Sequence, residues 1–509
     1  LTAIGGAATA RGDPVSGEEA AMVRQGLAPE GLGFVLVDLA DGRVLAERQG
    51  ARAFIPASVT KLATAAAARG VLGPQHRFHT ALLASGEVRN GALDGTLVLR
   101  GGGDPVLASE DLVDFVAALR AQGIRRVTGR FVFDATLWPE MAAIDAAQPL
   151  TASYNTGLGP LSLNFNRFQL SWRRPDPDAP VVVSALSVSD LGRHPLDSVA
   201  VELVGRGPAG AAGPSLVLLP AGSGGLGARG GERWRLSPGP GPGPGERVWL
   251  PVGRPGQAAA AVFRRLAAEG GVVLPVPVAE ATPAGARQLA AHDSPPLDDL
   301  LRGVLRHSNN LSAEMIGLAA GRAIDPRVTG LAESAAVLTG WMASARPSAD
   351  WRGWRMLNHS GLTSASRMTP RQVVEVLRLG GAELWGLLPG DGDGDADGEN
   401  SRGGMPGVRA KSGTMAYAKG LAGVLTAASG RRLGFALFIG DDERRGAFDA
   451  TLNAARGGDK DPAKDPAKDP AKDPAKDRRS ADLPAEARVW LAHARVVQAE
   501  VLGLWRAGF

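Results

Sequence analysis

Two apolar runs, residues 32–39 and 44–46, flank a polar break at Ala40-Asp41-Gly42, the pattern of a β-hairpin. The run Leu62-Ala63-Thr64-Ala65-Ala66-Ala67-Ala68 follows closely. Alanine is the strongest helix former, and Pro56 blocks an earlier start, so a helix is predicted to open at Ser58. Residues 78–84, 95–100 and 130–134 read as strands, and 111–122 as an amphipathic helix. The span 165–255 is strand- and loop-rich, with strands expected at 168–172 and 181–183. A helix over 258–269 and a strand over 272–274 come next. Residues 296–305 and 311–323 have helical apolar spacing, and Thr369-Pro370 supplies a cap and first turn for another helix. Strands at 421–426 and 433–439 turn at Gly430-Arg431. The last helix, 485–506, sets Trp490, Ala494, Val497, Val501 and Leu504/Trp505 along one face. Packing within the fold and docking to a membrane surface are the two readings of that face.

Other stretches lack this periodicity. Residues 1–16 are small and polar, an expected loose arm. Ser237 is followed by four Pro-Gly pairs, a linker or hairpin tip rather than collagen, which needs glycine at every third position. Gly101–Asp104 lacks the Gly-Lys-Ser/Thr ending of a phosphate loop and reads as a tight turn. In 390–399, Asp393, Asp395 and Asp397 precede Gly398 as in a calcium loop. The twelfth position falls on Gly404 instead of a glutamate, which favours a solvated loop. Residues 460–477 repeat Ala-Lys-Asp-Pro, where proline at every fourth position forbids a helix, so an extended disordered insert is expected within 459–478.

Composition narrows the class. At 509 residues the chain exceeds one ordinary core, and two to four domains are expected. Hydrophobic residues at 44% and charged residues at 21% suit a globular protein. The net charge, 56 − 52 = +4, is mild and forms no basic stripe with interleaved aromatics, which argues against a nucleic-acid partner. The absence of cysteine excludes disulfides and thiolate metal sites, and seven scattered histidines fit no metal pattern. No run of 18 apolar residues is present, so no integral membrane segment is expected. The chain begins at Leu1 rather than methionine, which is compatible with export and a signal peptide already removed.

The candidate chemistry lies at Ser58-x-x-Lys61. Helical residues three apart share a face, so Ser58 Oγ and Lys61 Nζ can meet. Ser58 would stand at the positive end of the helix, with its backbone N–H open to an oxyanion. A serine needs a base beside it to attack, and a neutral lysine serves. Two later stretches add Ser308-x-Asn310 and Lys411-Ser412-Gly413. Each motif is common by chance, whereas the ordered set is not.

In that order the three motifs resemble the penicillin-binding and serine β-lactamase group. The long gap from Lys61 to Ser308 contains Gly101-Gly102-Gly103-Asp104-Pro105 and Tyr154-Asn155. These features resemble the class C low-molecular-mass penicillin-binding proteins, the D-alanyl-D-alanine carboxypeptidase/endopeptidase family. The resemblance implies an α/β (α+β) penicillin-binding fold with two inserted β-rich domains. The catalytic domain would comprise residues 1–73 and 284–509. One insert would comprise 74–164 with a return segment 256–283, and the other 165–255. It further implies Ser58 as nucleophile and Lys61 as base, its pKa lowered by Lys411 and desolvation. Ser308 would lie between the two lysines and pass a proton to the leaving amine, while Asn310 holds the substrate backbone. Lys411 with the Ser412-Gly413-Thr414 strand would bind the terminal carboxylate. The N–H groups of Ser58 and Thr414 would form the oxyanion hole. Peptidoglycan stem peptides would be substrates, β-lactams acylating inhibitors and the periplasm the location, with no cofactor. Asn358-His359-Ser360-Gly361-Leu362 resembles a family loop that usually reads Asp-Gly-Ser-Gly-Leu. The other readings are a serine β-lactamase or esterase, which the long insert argues against, and a non-catalytic wall-binding scaffold, which the intact motifs argue against.

Overall fold

The computed structural model describes residues 16–173, 180–204, 215–220, 231–237, 246–390, 406–457 and 483–509. The N-terminal arm before Ser16, the Pro-Gly pairs, the Gly/Asp run after Gly390 and the Ala-Lys-Asp-Pro repeat lie outside the described residues.

The expected N-terminal hairpin forms, and its first strand pairs with Arg432–Gly440, about four hundred residues away. The central antiparallel sheet runs in the order Val408–Met415, Ala418–Thr426, Arg432–Gly440, Leu32–Asp38, Val44–Arg48. Strand Leu32–Asp38 is buried along its whole length. Alternation sends Leu32, Phe34 and Leu36 to one face and Val35 and Val37 to the other. Helices cover both faces, which is why this strand reads as a continuous apolar run.

On the first face lies the C-terminal helix Ala485–Gly508, burying Trp490, Ala494, Val497, Val501 and Trp505. The Trp505 ring centroid is 5.3 Å from that of Phe34 and 5.9 Å from that of Phe435. Its indole N–H donates to Glu18 Oε1 at 3.0 Å, satisfying a polar group that burial would otherwise strand. Leu504 points outward, against the expected face, because it is one residue and so about 100° out of phase with Trp505. On the other face lie Thr60–Leu72 and Pro370–Leu387, backed by Leu297–His307, Asn310–Ile324 and Leu331–Ala345. Residues Ala63 and Ala65 to Ala68 are all buried, and their small side chains let neighbouring helices approach.

Among the described residues, the chain builds three further sheets between Lys61 and Ser308. The largest runs Pro277–Ala279, Arg130–Asp134, Ala92–Arg100, His79–Arg89, Arg287–Asp293, with Arg126–Val127 paired to Ala92–Arg100. The hairpin His79–Arg89/Ala92–Arg100 is longer than expected and closes on Asn90-Gly91. Both turn residues have positive φ, 49° and 76°, as a type I′ turn requires. The expected strand at 272–274 is only an isolated bridge from Val273 to Arg126. The strand forms later, at Pro277–Ala279. Arg287–Asp293 pairs with His79–Arg89, so the chain is still in this sheet beyond residue 284, the expected point of return. The other two are Glu246–Pro251/Arg167–Arg173/Val182–Ser189/Gly192–Pro195 and Val199–Leu203/Glu232–Ser237/Ser215–Leu218. Phe168, Trp234 and Leu250 from these sheets share one apolar cluster with Leu82 and Phe131 of the first and with Phe263 of helix Pro255–Glu269.

Candidate active site

The turn that bears Ser58 precedes the helix proper. Ala57–Val59 form a single 3₁₀ turn and the α-helix begins at Thr60. Ala57 sits at φ +45°, a left-handed conformation that costs a non-glycine residue about 1–2 kcal/mol. Neighbouring backbone holds it there. A Cβ on Gly361 would lie 1.9 Å from Ala57 O, so the loop bearing Gly361 presses directly on this turn. From the sheet side, a Cβ on Gly413 would lie 2.4 Å from Pro56 O and 3.1 Å from Ser58 N. The glycine of Lys-Ser-Gly is therefore a steric condition for the strand to close on the serine.

Ser58 is half-buried and Lys61 is fully buried. Lys61 Nζ donates to Ser58 Oγ at 3.0 Å, to Asn310 Oδ1 at 2.8 Å and to Ser360 O at 2.7 Å. Those contacts bring together the serine turn, the second motif and the Asn358–Leu362 loop. Asn310 is held at its other end by Tyr154, whose carbonyl accepts from Nδ2 at 3.2 Å. The segment between Lys61 and Ser308 thus reaches the site through a backbone oxygen. Ser308 ends helix Leu297–His307 in the left-handed conformation, φ 56°, and Asn309 caps the next helix by accepting from Ser312 N–H at 2.9 Å. This sharp corner places Ser308 and Asn310 together on the wall of a cavity of about 170 Å³ that Ser58, Lys411, Ser412 and Thr414 also line. Arg306 and His307, the last residues before the corner, add basic side chains to its rim.

Lys411 is almost completely buried, and its Nζ donates to Ser412 O at 3.0 Å. Alternation along Val408–Met415 sets Lys411 and Gly413 toward the serine helix. Ser412 and Thr414 take the opposite face, and because this strand is the sheet edge they still line the cavity.

Glu314, His359, Ser360, Tyr154 and Lys419 were not foreseen as site residues. Glu314 is fully buried one helical turn beyond Asn310. Its carboxylate accepts from the backbone N–H groups of His359 and Ser360, each at 2.8 Å. Desolvation pushes its pKa up, opposed first by the Ser360 hydroxyl, then by those backbone hydrogen bonds and by the Lys61 charge. Ser360 therefore joins Glu314, through its N–H, to Lys61, through its carbonyl. His359 is buried against Gly317, where a Cβ would lie 2.1 Å from the ring. Burial alone drives its pKa down to about 3, so the ring is neutral. Its Nε2 lies 2.9 Å from Ser334 Oγ, which itself donates to Gly317 O. Asn358 and His359 both face the interior. The Asn358 side chain closes the turn by accepting from Gly361 N–H at 3.0 Å. An acid four residues after Asn310, within a stripe of Leu311, Met315 and Leu318, was the available signal for Glu314. Among the described residues no cluster of metal ligands occurs, and no helix is long and apolar enough to cross a membrane.

The D-alanyl-D-alanine carboxypeptidase of Actinomadura sp. (strain R39) is 29% identical over 428 residues, 78% of this chain and 76% of that enzyme. The D-alanyl-D-alanine carboxypeptidase DacB of Haemophilus influenzae is 38% identical over 112 residues, 22% of this chain and 23% of that enzyme. Penicillin-binding protein 4 (dacB) of Haemophilus influenzae superposes with a TM-score of 0.69 at 22% identity, covering 86% of this chain and 98% of that one, so the fold is the one expected. A structure of that protein holds a β-lactam. Residues 19–453 match the family described as D-Ala-D-Ala carboxypeptidase 3 (S13), and the chain belongs to that family.

Proposed function

We propose that the chain is a serine D,D-peptidase of peptidoglycan that acts through an acyl-enzyme on Ser58, as carboxypeptidase, endopeptidase or both. The observation that carries this reading is the 3.0 Å contact between Ser58 Oγ and a fully buried Lys61 Nζ. Ser58 Oγ attacks the carbonyl carbon of the penultimate D-alanine, and its proton passes to neutral Lys61. The oxyanion is received by the backbone N–H groups of Ser58 and Thr414. Ser308 relays the proton to the departing amine, the C–N bond breaks, and D-alanine leaves. Water then attacks the ester, gives its proton to Lys61, and Ser58 is restored. Asn310 orients the substrate backbone, while Lys411, Ser412 and Thr414 hold the terminal carboxylate by charge-assisted hydrogen bonds along the Gly413 strand.

The polymer substrate implies an extracytoplasmic location, and the basic rim at Arg306 and His307 suits an anionic peptide. We also assign the span between the serine helix and Leu297–His307 as an inserted module that steadies Asn310 through Tyr154.

Mass spectrometry after incubation with a penicillin tests the reading, on the intact chain and on Ser58→Ala. The expected result is one stable adduct on the Ser58 peptide, absent from the variant. Intact penicillin with no adduct would overturn the assignment, and consumed penicillin with no adduct would indicate a β-lactamase.

A further inference from the structure

Lys419 belongs to none of the three motifs. It lies on strand Ala418–Thr426, directly opposite Thr414 in the antiparallel register, so the two side chains share a face of the sheet. Lys419 has no exposed surface, and its Nζ donates to Thr414 Oγ1 at 2.6 Å. An ammonium can only donate, so the threonine oxygen is the acceptor. The hydroxyl proton of Thr414 is thereby directed away from Lys419. Thr414 itself lines the cavity beside Lys411 and Ser412. A hydroxyl that accepts from a cation is polarised and becomes a stronger donor, and the effect is larger away from water. The strand wall thus presents Lys411 from one face of the sheet and a Lys419–Thr414 relay from the other.

We propose that Lys419 is a positioning residue for the anionic end of the substrate. Acting through Thr414 Oγ1, it makes the site prefer peptides with a free terminal carboxylate over peptides with a neutral end. The inference rests on the acyl-enzyme reading for Ser58.

The test compares two peptides, one ending in D-Ala-D-Ala and the other in D-Ala-D-alaninamide, on the wild-type chain, Lys419→Met and Lys419→Arg. Lys419→Met is expected to lower kcat/KM for the free acid about 10-fold, chiefly through KM. The amide should change much less, so the acid-to-amide ratio falls. Lys419→Arg, which keeps the charge, should restore most of the ratio. Thr414→Val should lower the same ratio, with Lys419→Met adding little on top, because the two act in series. If Lys419→Met does not fold, Lys419→Gln takes its place, retaining a donor and losing only the charge. Equal losses for acid and amide would overturn the proposal, since a structural role moves both together. An unchanged ratio would overturn it too. A wild-type chain that forms no adduct on Ser58 identifies failure of the acyl-enzyme reading instead.

Discussion

Two buried lysines on opposite walls of the cleft are held in opposite ways. Lys61 and Lys419 are both fully buried, and each donates to a hydroxyl that lines the cavity. Lys419 reaches its threonine across one β-hairpin, five residues along the chain. Lys61 is fixed by Asn310, 249 residues away, and by Ser360, 299 residues away. Those partners are themselves tethered, Asn310 by the Tyr154 carbonyl and Ser360 by the Glu314 carboxylate. The strand wall is set by sheet register alone, which is local and stiff. The helix wall is set by closure of distant segments, so substitutions far from Ser58 in sequence should disturb it first.

The largest expected effect comes from removing the base. Lys61→Met takes away the proton acceptor and leaves Asn310 Oδ1 and Ser360 O without a buried donor. The loss in acylation rate by penicillin should be about 10³–10⁴-fold, read by stopped mixing and mass spectrometry. Within about 10-fold of wild type, Lys61 would not be the base. The glycines that bound the serine turn come next. Gly413→Ala forces a Cβ against Pro56 O, and the strand must retreat from Ser58 N–H. Gly361→Ala adds the cost of φ +75° to a 1.9 Å clash with Ala57 O. Both should lower acylation about 100-fold, since a displacement of about 1 Å is enough for that. Gly361→Ala should also lower the melting temperature more, because it breaks the long-range wall. An equal fall in melting temperature would remove the distinction between the walls.

Glu314→Gln probes the tether with a smaller change. The amide retains one acceptor oxygen but turns an NH₂ group toward a backbone N–H of His359 or Ser360. One buried donor then lacks an acceptor, at about 1–3 kcal/mol. The Ser360 carbonyl should shift on Lys61 and lower kcat about 10-fold, with KM for the free-acid peptide nearly unchanged. A fall in KM selectivity instead would place the effect on the strand wall.

The same contrast explains what was legible in the sequence. Ser58, Lys61, Ser308, Asn310 and Lys411 sit in short motifs whose spacing encodes local geometry, and their order brought the fold with it. The N-terminal hairpin was legible from its two apolar runs, but its pairing with Arg432–Gly440 is a fact of topology that periodicity cannot carry. Tyr154 contributes a carbonyl, which leaves no side-chain signature. Glu314 looked like one polar position on an amphipathic helix, because only the packed fold reveals that this face is interior. Lys419 could have been found by counting back from Thr414 across the tight turn at 416–417, since alternation sets them opposite. The strand expected at 272–274 formed five residues later, at 277–279 beyond Pro275, where an edge position parallel to Arg130–Asp134 was open.

The least drastic test of the helix wall uses pH. His359 is neutral in the fold, with its pKa held down to about 3 by burial, against 6.5 for an ordinary histidine. Between those values the unfolded chain binds a proton that the folded chain does not, so stability rises with pH across the window and falls on acidification. From pH 6.5 to pH 5 the loss is about 2 kcal/mol for a fully buried ring. Glu314 works in the opposite sense. Its raised pKa removes stability as pH climbs above the usual carboxylate value, which flattens the lower part of the same curve. His359→Phe keeps a ring against Gly317 and cannot titrate, and Ser334 Oγ still donates to Gly317 O. Denaturant unfolding at pH 7 and pH 5 should show the wild-type chain losing more stability than the variant, by roughly 2 kcal/mol. The penicillin acylation rate of the two at pH 7 should agree within a few-fold, because His359 supports the loop from behind and the Ser360 carbonyl stays on Lys61. Parallel pH curves would mean that the ring is not sealed from water. The loop behind the helix wall would then be as loosely held as a surface turn, and the contrast with the strand wall would rest on Glu314 alone.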